Sequence, residues 1–203
     1  MNRSAVIARA ESRLRQLCCL GLAGPVVAPA LYRELNEVVP FETCFHIWLG
    51  PDGPIDAYFN APEIGPVFAL YKDSWFGSRE ADVWPTMAEA AVDELGPRHL
   101  HQVLRMSRAS FERHPIFNEL LKPCGSETFI RMVVRDGRVP VGAFNVGRVS
   151  GDRDFDDEDL RAVGRLEPFI AHALRTREGP ASPQTCDAAP IALTYLKQLL
   201  RSA

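Results

Sequence analysis

The sequence predicts an α+β fold: a central antiparallel sheet with the N- and C-terminal helices on one face and an irregular helical and loop insert on the other. Three observations carry this reading. Two β-rich runs flank Pro51-Asp52-Gly53-Pro54 and two more flank Asp136-Gly137, so the strands come as hairpins. Helical patterns open and close the main body of the chain. Between the hairpins lies an aromatic-rich stretch with poor periodicity. Hairpins segregated from helices are the pattern of an antiparallel sheet, not of alternating strand–helix units.

Each element has its own signal. Residues 4–20 read as a helix with the narrow stripe Val6, Ala10, Leu14, Leu17 and Cys18, ended by "GLAGP". A second helix covers 27–38 through Leu31, Leu35 and Val38. Residues 41–60 form the first hairpin. Over 62–96, Phe68, Tyr71, Trp75, Phe76 and Trp84 are separated by Pro and Gly, which predicts short helices and loops. "HPIFNELLKPCG" (114–125) reads as a short helix, with Pro115 at the first helical position and Lys122-Pro123 with Gly125 as its stop. Residues 126–149 form the second hairpin. Residues 1–175 then make one domain, 176–190 a linker, and 191–203 a short helix or tail.

The acidic run Asp154, Asp156, Asp157, Glu158, Asp159 invites a calcium reading, which the spacing refuses. A calcium loop starting at Asp152 needs Gly at its sixth position and Glu at its twelfth. This sequence has Asp157 and Val163 there. A helix start fits instead. Asp156 is the N-cap, Asp159 falls at N3, and Phe155 stands before the cap facing Leu160 at N4. Asp157 and Glu158 complement the positive end of the helix dipole. Leu160, Val163, Leu166, Ile170 and Leu174 follow on one stripe, with Pro168 inside it predicting a bend.

Composition narrows the function classes. A chain of 203 residues with 46% hydrophobic content buries a real core. A net charge of −3 offers no footprint for nucleic acid. No apolar run reaches the length of a membrane span, and the N-terminus lacks a secretory signal, so a cytoplasmic location is expected. The five cysteines, an odd number without CxxC spacing, argue against a disulfide framework or a zinc site. No Walker loop, Rossmann fingerprint or nucleophile elbow is present. Gly142 and Gly147 lie within a strand pattern, where Gly marks a bulge or a close approach.

The segment "SRASFERHPIFNELLKPCG…FIRMVVRDGRVPVGAFNVGRVSGDRDFDDEDLRAVGRLEPFIAHALR" resembles the GAF-like sensor domain found upstream of a LuxR-type helix-turn-helix in bacterial transcriptional regulators. The likeness rests on the "FNELLKP.G" helix, the "RDGRVPVGAFNVGR" hairpin, "DFDDEDL" and the closing "L.P.IAHALR" helix, over residues 107–175. It implies a GAF-like fold and a sensor that relays a signal to a DNA-binding module, usually within a dimer. It carries no catalytic signature. Nothing after 175 reads as a helix-turn-helix, so direct DNA binding by this chain is not expected. The chain is then either the sensor part of a longer regulator or a freestanding GAF-like protein.

Strand parity selects the candidate ligand site. In 43–49, Phe45, Ile47 and Leu49 form the more apolar row, leaving Cys44, His46 and Trp48 opposite. Ile130, Met132 and Val134 form an apolar row in the later hairpin, as do Phe144 and Val146. Assigning the apolar rows to the terminal-helix layer turns His46, Trp48, Tyr58, Arg131 and Asn145 toward the insert. With Phe68, Tyr71, Trp75 and Trp84 from the insert they make an apolar pocket with a few convergent polar groups. Arg131, pointing inward, favours an anion such as a carboxylate. A one-residue register error reverses every one of these strand assignments.

The expected function is small-molecule sensing in a homodimer formed through the first and last long helices, with no cofactor, no metal and no catalysis. His99, His101, His114 and Cys124 lack a completed ligand set, so no metal is assigned to them. Two alternatives stand beside this reading. One is a degenerate GAF scaffold serving dimerisation alone. The other is a cysteine-dependent enzyme resembling free-methionine-sulfoxide reductases, using Cys44 and Cys124, for which an attacking thiol of low pKa is required.

Overall fold

The computed structural model describes residues 3–77, 79–93, 96–149 and 154–175. The expected linker (176–190) and final helix (191–203) lie outside the described residues. The chain divides into two compact units, one spanning Phe41–Arg165 and one made of the residues to Pro40 with those from Leu166 onward.

The Phe41–Arg165 unit is built on a five-stranded, wholly antiparallel sheet in the order β2-β1-β5-β4-β3. Its strands are β1 (Thr43–Gly50), β2 (Gly53–Phe59), β3 (Arg98–His99), β4 (Thr128–Asp136) and β5 (Val139–Arg148). Both expected hairpins are present. In the second, Asp136 pairs with Val139, so the turn residues are Gly137 and Arg138, one position later than the Asp-Gly reading. Gly137 takes the left-handed conformation there, at φ 58°. The two hairpins meet through β1 and β5, with Phe45 opposite Asn145 and His46 opposite Phe144.

The chain between the hairpins covers one face of this sheet with short elements. They are α3 (Ile64–Ser74), a 3-10 turn (Glu80–Asp82), α4 (Met87–Val92), α5 (Leu100–Val103), α6 (Arg108–Phe111) and a π-helical turn (Phe117–Leu121). Two apolar clusters hold this layer down. Met87, Ala90 and Ala91 of α4 pack with Ile47, Val133 and Ala143 of the sheet. Trp75, Trp84, Phe111, Ile116 and Leu120 gather around Phe129 of β4. Residues 114–125 close as a π turn where a short α-helix was expected, with the Lys122 N–H donating five residues back to the Phe117 carbonyl.

Helix α7 (Asp157–Leu174) starts as the acidic run dictates. Asp156 Oδ1 accepts from the N–H groups of Glu158 and Asp159, both at 2.9 Å, and Asp159 Oδ2 accepts back from the Asp156 N–H at 3.2 Å. This is a capping box with Asp in the N3 role. Arg148, at the end of β5, fastens it. Its guanidinium donates to Asp159 Oδ2 at 3.1 Å and lies 3.9 Å from the centre of the Phe155 ring. The helix continues through Pro168.

In the other unit α1 (Arg3–Cys18) packs on α2 (Gly24–Val38). Helix α2 begins three residues before the expected start because Pro25 occupies its first turn, where a missing N–H costs nothing. Glu34 is buried between the helices and neutralised by Arg13 at 2.7 Å and Arg33 at 3.3 Å. Among the described residues no helix is long and apolar enough to cross a membrane.

Gly142 and Gly147 mark close approaches of side chains to the sheet. A Cβ at Gly142 would stand 2.8 Å from the His46 ring, and one at Gly147 would stand 2.7 Å from Thr43 Oγ1 and closer still to Ser126 Oγ. Gly147→Ala is therefore expected to destabilise the fold by about 1–3 kcal/mol through overpacking. Adding Ser126→Ala to it should recover part of the loss. Urea unfolding of both variants checks this, and a loss under about 0.5 kcal/mol, the level of an ordinary surface substitution, would contradict the packing.

Candidate functional site

The insert leaves a cavity of about 80 Å³ against the sheet. Helix α3 supplies one wall. Ile64, Val67, Phe68 and Tyr71 line the cavity, a spacing of three, four and seven residues that places them on one helical stripe. The stretch expected to lack periodicity therefore holds one short amphipathic helix. Phe45, Ile47, Phe59, Phe129 and Ala143 form the sheet floor, and Met87, Leu120 and Leu121 close the sides.

Arg131 and Asn145 also stand on the floor. They are directly opposite each other on β4 and β5, and side chains so paired share a face of the sheet. Of the candidate residues, Phe68, Tyr71, Trp84, Arg131 and Asn145 thus come together in one cavity. Trp75 is buried in the neighbouring apolar cluster, with its ring 5.7 Å from that of His114.

His46, Trp48 and Tyr58 must be corrected. Antiparallel pairing sets Phe45 beside Asn145 and His46 beside Phe144 and Tyr58. The apolar row Phe45, Ile47 therefore belongs with Arg131 and Asn145, and the mixed row His46, Trp48, Tyr58 shares the opposite face with Phe144 and Met132. Parity within β1 was assigned by composition, and pairing overrides composition. On that face His46 and Trp48 pack edge to face at 4.5 Å.

Glu80 is the polar residue that sequence reasoning missed. It is 1% exposed and lines the cavity. Its Oε2 accepts from the Tyr71 hydroxyl at 2.8 Å and from the Trp84 indole N–H at 3.2 Å, and the Gly77 N–H lies 3.4 Å from Oε1. The 3-10 turn makes this possible by aiming residue 80 inward between α3 and Trp84. Burial raises the Tyr71 phenol well above its usual pKa, and the neighbouring Glu80 charge adds to the rise while Arg131 opposes it. The only sequence trace of this network was the Glu80–Trp84 spacing.

The other polar groups in the cavity lack such partners. Arg131 is 8% exposed, Asn145 7% and Ser126 1%. Among the described residues none of these three side chains makes a hydrogen bond, and Ser126 Oγ is fully buried without one. Arg131 makes no ion pair there either; its guanidinium carbon lies 5.5 Å from the centre of the Trp84 ring.

The cysteines and histidines do not converge. Cys124 lines the cavity, and burial pushes its thiol up to about 11. Cys44 alternates with Phe45 and so belongs to the opposite face; burial raises its thiol as well. The His99 and His101 rings stack at 5.0 Å. His114 Nδ1 accepts from the Ile116 N–H at 3.2 Å. Among the described residues no group of three or more His, Cys, Asp or Glu side chains is placed to hold a metal ion.

The fold has known counterparts. The far-red absorbing dark state of JSC1_58120g3 with bound biliverdin IXa matches at a TM-score of 0.52 and 12% identity, over 83% of this chain and 96% of that one. The phycocyanobilin-bound GAF domain from a cyanobacterial phytochrome matches at a TM-score of 0.48 and 14% identity, over 97% of each chain. A phycoerythrobilin-bound GAF domain from a cyanobacterial phytochrome gives 0.47 and 15%, over 85% and 94%. No family model and no curated protein matches the chain. The fold is GAF-like α+β, as the sequence predicts.

The burial of the Tyr71 phenol beside Glu80 has a consequence at alkaline pH. A phenol whose pKa is raised by folding keeps its proton after the unfolded chain has released one, so its contribution is full below about pH 10 and declines above that. Each such proton steepens the decline by about 1.4 kcal/mol per pH unit. Tyr71→Phe is expected to make the fall in stability above about pH 10 shallower by one proton. Urea unfolding across that range checks it, and an unchanged slope would contradict it.

Proposed function

We propose that this chain is a small-molecule-sensing regulatory domain, the sensor part of a bacterial transcriptional regulator, acting as a cytoplasmic homodimer without catalytic activity. One observation carries the reading: a mostly apolar cavity, walled by the insert, lined by a guanidinium (Arg131) and an amide (Asn145) that make no hydrogen bond among the described residues, and by the fully buried, unpartnered Ser126 hydroxyl. Buried polar groups are ordinarily satisfied, so a cavity with one such hydroxyl open and an amide and a guanidinium at its wall is suited to a ligand that engages them. The biliverdin of the structural counterpart does not fit. About 80 Å³ is well below the roughly 300–1,000 Å³ of common ligand pockets, and an open-chain tetrapyrrole is several times larger than this space.

The signal would arise by differential binding. A ligand bridging the insert and the floor favours one position of α3 and the Glu80–Trp84 segment. Asn145 lies on β5, and β5 ends at Arg148, which holds the start of α7. Dimerisation through α1 and α7 would carry the change to a second copy. DNA would be reached only through a separate module. The thiol-enzyme reading is disfavoured by the raised Cys124 and Cys44 thiols and their placement on opposite faces of the sheet.

Native mass spectrometry of the purified chain, repeated after denaturation, tests this together with a thermal-shift screen of small acids, amides, amines and alcohols. The expected result is a dimer that either carries an organic mass lost on unfolding or is stabilised by members of the screen, with the response abolished in Ala143→Phe, which fills the cavity. A dimer at bare mass with no response leaves the dimerisation scaffold. A bare monomer removes the dimer relay.

A further inference from the structure

The cavity is asymmetric in its unmet needs. Both Glu80 oxygens accept hydrogen bonds: one from the Tyr71 hydroxyl and the Trp84 indole, the other from the Gly77 amide. Arg131 has five N–H donors and no hydrogen-bonded acceptor among the described residues. What the cavity lacks is an acceptor.

Charge points the same way. Arg131 stands between Asn145 on β5 and Arg98 on β3, its direct partners across the sheet. Two guanidinium-bearing residues opposite each other on adjacent strands repel, and like charges so placed are destabilising. Among the described residues the Arg98 guanidinium donates only to its neighbour's carbonyl, that of Pro97, at 3.2 Å. Glu80 is more than 4 Å from Arg131, since no ion pair joins them. An anion entering the cavity would meet the Arg131 guanidinium and a single carboxylate, Glu80, that already accepts on both oxygens.

We propose that the ligand is a compact monocarboxylate with an apolar body, its carboxylate held in the fork of Arg131 with the Asn145 amide as second donor. Ser126, whose buried hydroxyl is open, completes the polar end. The apolar body lies against Phe45, Phe68 and Phe129. A cavity of about 80 Å³ suits a short branched chain or a single small ring as that body, and the Glu80 carboxylate in its wall disfavours a second carboxylate on the ligand. This rests on the sensing function proposed above and names its ligand class.

Calorimetric titration of the full chain with isovalerate, its neutral isostere isovaleramide and the cationic isoamylamine tests the assignment, with benzoate as the ring-bearing acid. An acid is expected to bind, the amide about 10–100-fold more weakly, as for loss of a charged hydrogen bond, and the amine not detectably. Arg131→Lys keeps the charge, loses the fork and should weaken the acid about tenfold or more. Asn145→Asp supplies Arg131 with an internal carboxylate. It should raise the melting temperature and abolish acid binding, which separates lost recognition from lost folding. Amide binding equal to acid, preference for the amine, or acid binding unchanged in Asn145→Asp overturns the carboxylate assignment and leaves a small-molecule site. Failure of all four compounds at millimolar concentration overturns the assignment, and the sensing function falls with it only if the wider screen is also silent.

Discussion

The pairing of β1 with β5 is the constraint on which the site depends. It joins two hairpins that are far apart in sequence, and its register sets Phe45 beside Asn145 and therefore beside Arg131. A slip of β1 by one residue would set His46 and Trp48 beside Asn145 and Arg131 in place of Phe45 and Ile47, and would present a different surface to the insert. Nothing local holds this register. Gly142 and Gly147 do so by space, because each admits a side chain that no Cβ would tolerate: the His46 ring at one and the Thr43 and Ser126 hydroxyls at the other.

Over that floor, two buried charges are handled differently. Glu80 is satisfied by groups brought from three places in the insert, so its network ties α3 to the segment that carries Trp84. Arg131 is held by geometry and by the face of Trp84, with its donors unused. Trp84 touches both charges, one through its indole N–H and one through its ring. Trp84 thus links the floor of the cavity to the Glu80 network of the insert.

The legible parts of the sequence were those with local causes. The capped start of α7 followed from Asp156, Asp159 and Phe155, and both hairpins followed from their turn residues. The inward placement of Arg131 and Asn145 followed from alternation along β4 and β5. Parity in β1 did not, because Phe45, Ile47 and Leu49 were more apolar than His46 and Trp48, and apolar residues were matched to apolar rows. The cavity floor is itself apolar around its two polar residues, so composition could not rank the faces. Glu80 was invisible for another reason: its burial depends on a 3-10 turn and on two aromatic partners that only the fold brings within reach.

The most direct measurement is a chemical-shift map of the isotope-labelled protein, backbone amides together with tryptophan indole and arginine guanidinium signals, recorded before and after saturation with isovalerate. The account predicts that the largest changes fall on Arg131, Asn145, Ser126 and the Trp84 indole, with smaller ones along α3. Changes concentrated on His46, Trp48 and Tyr58, on the other face of the same sheet, would contradict it.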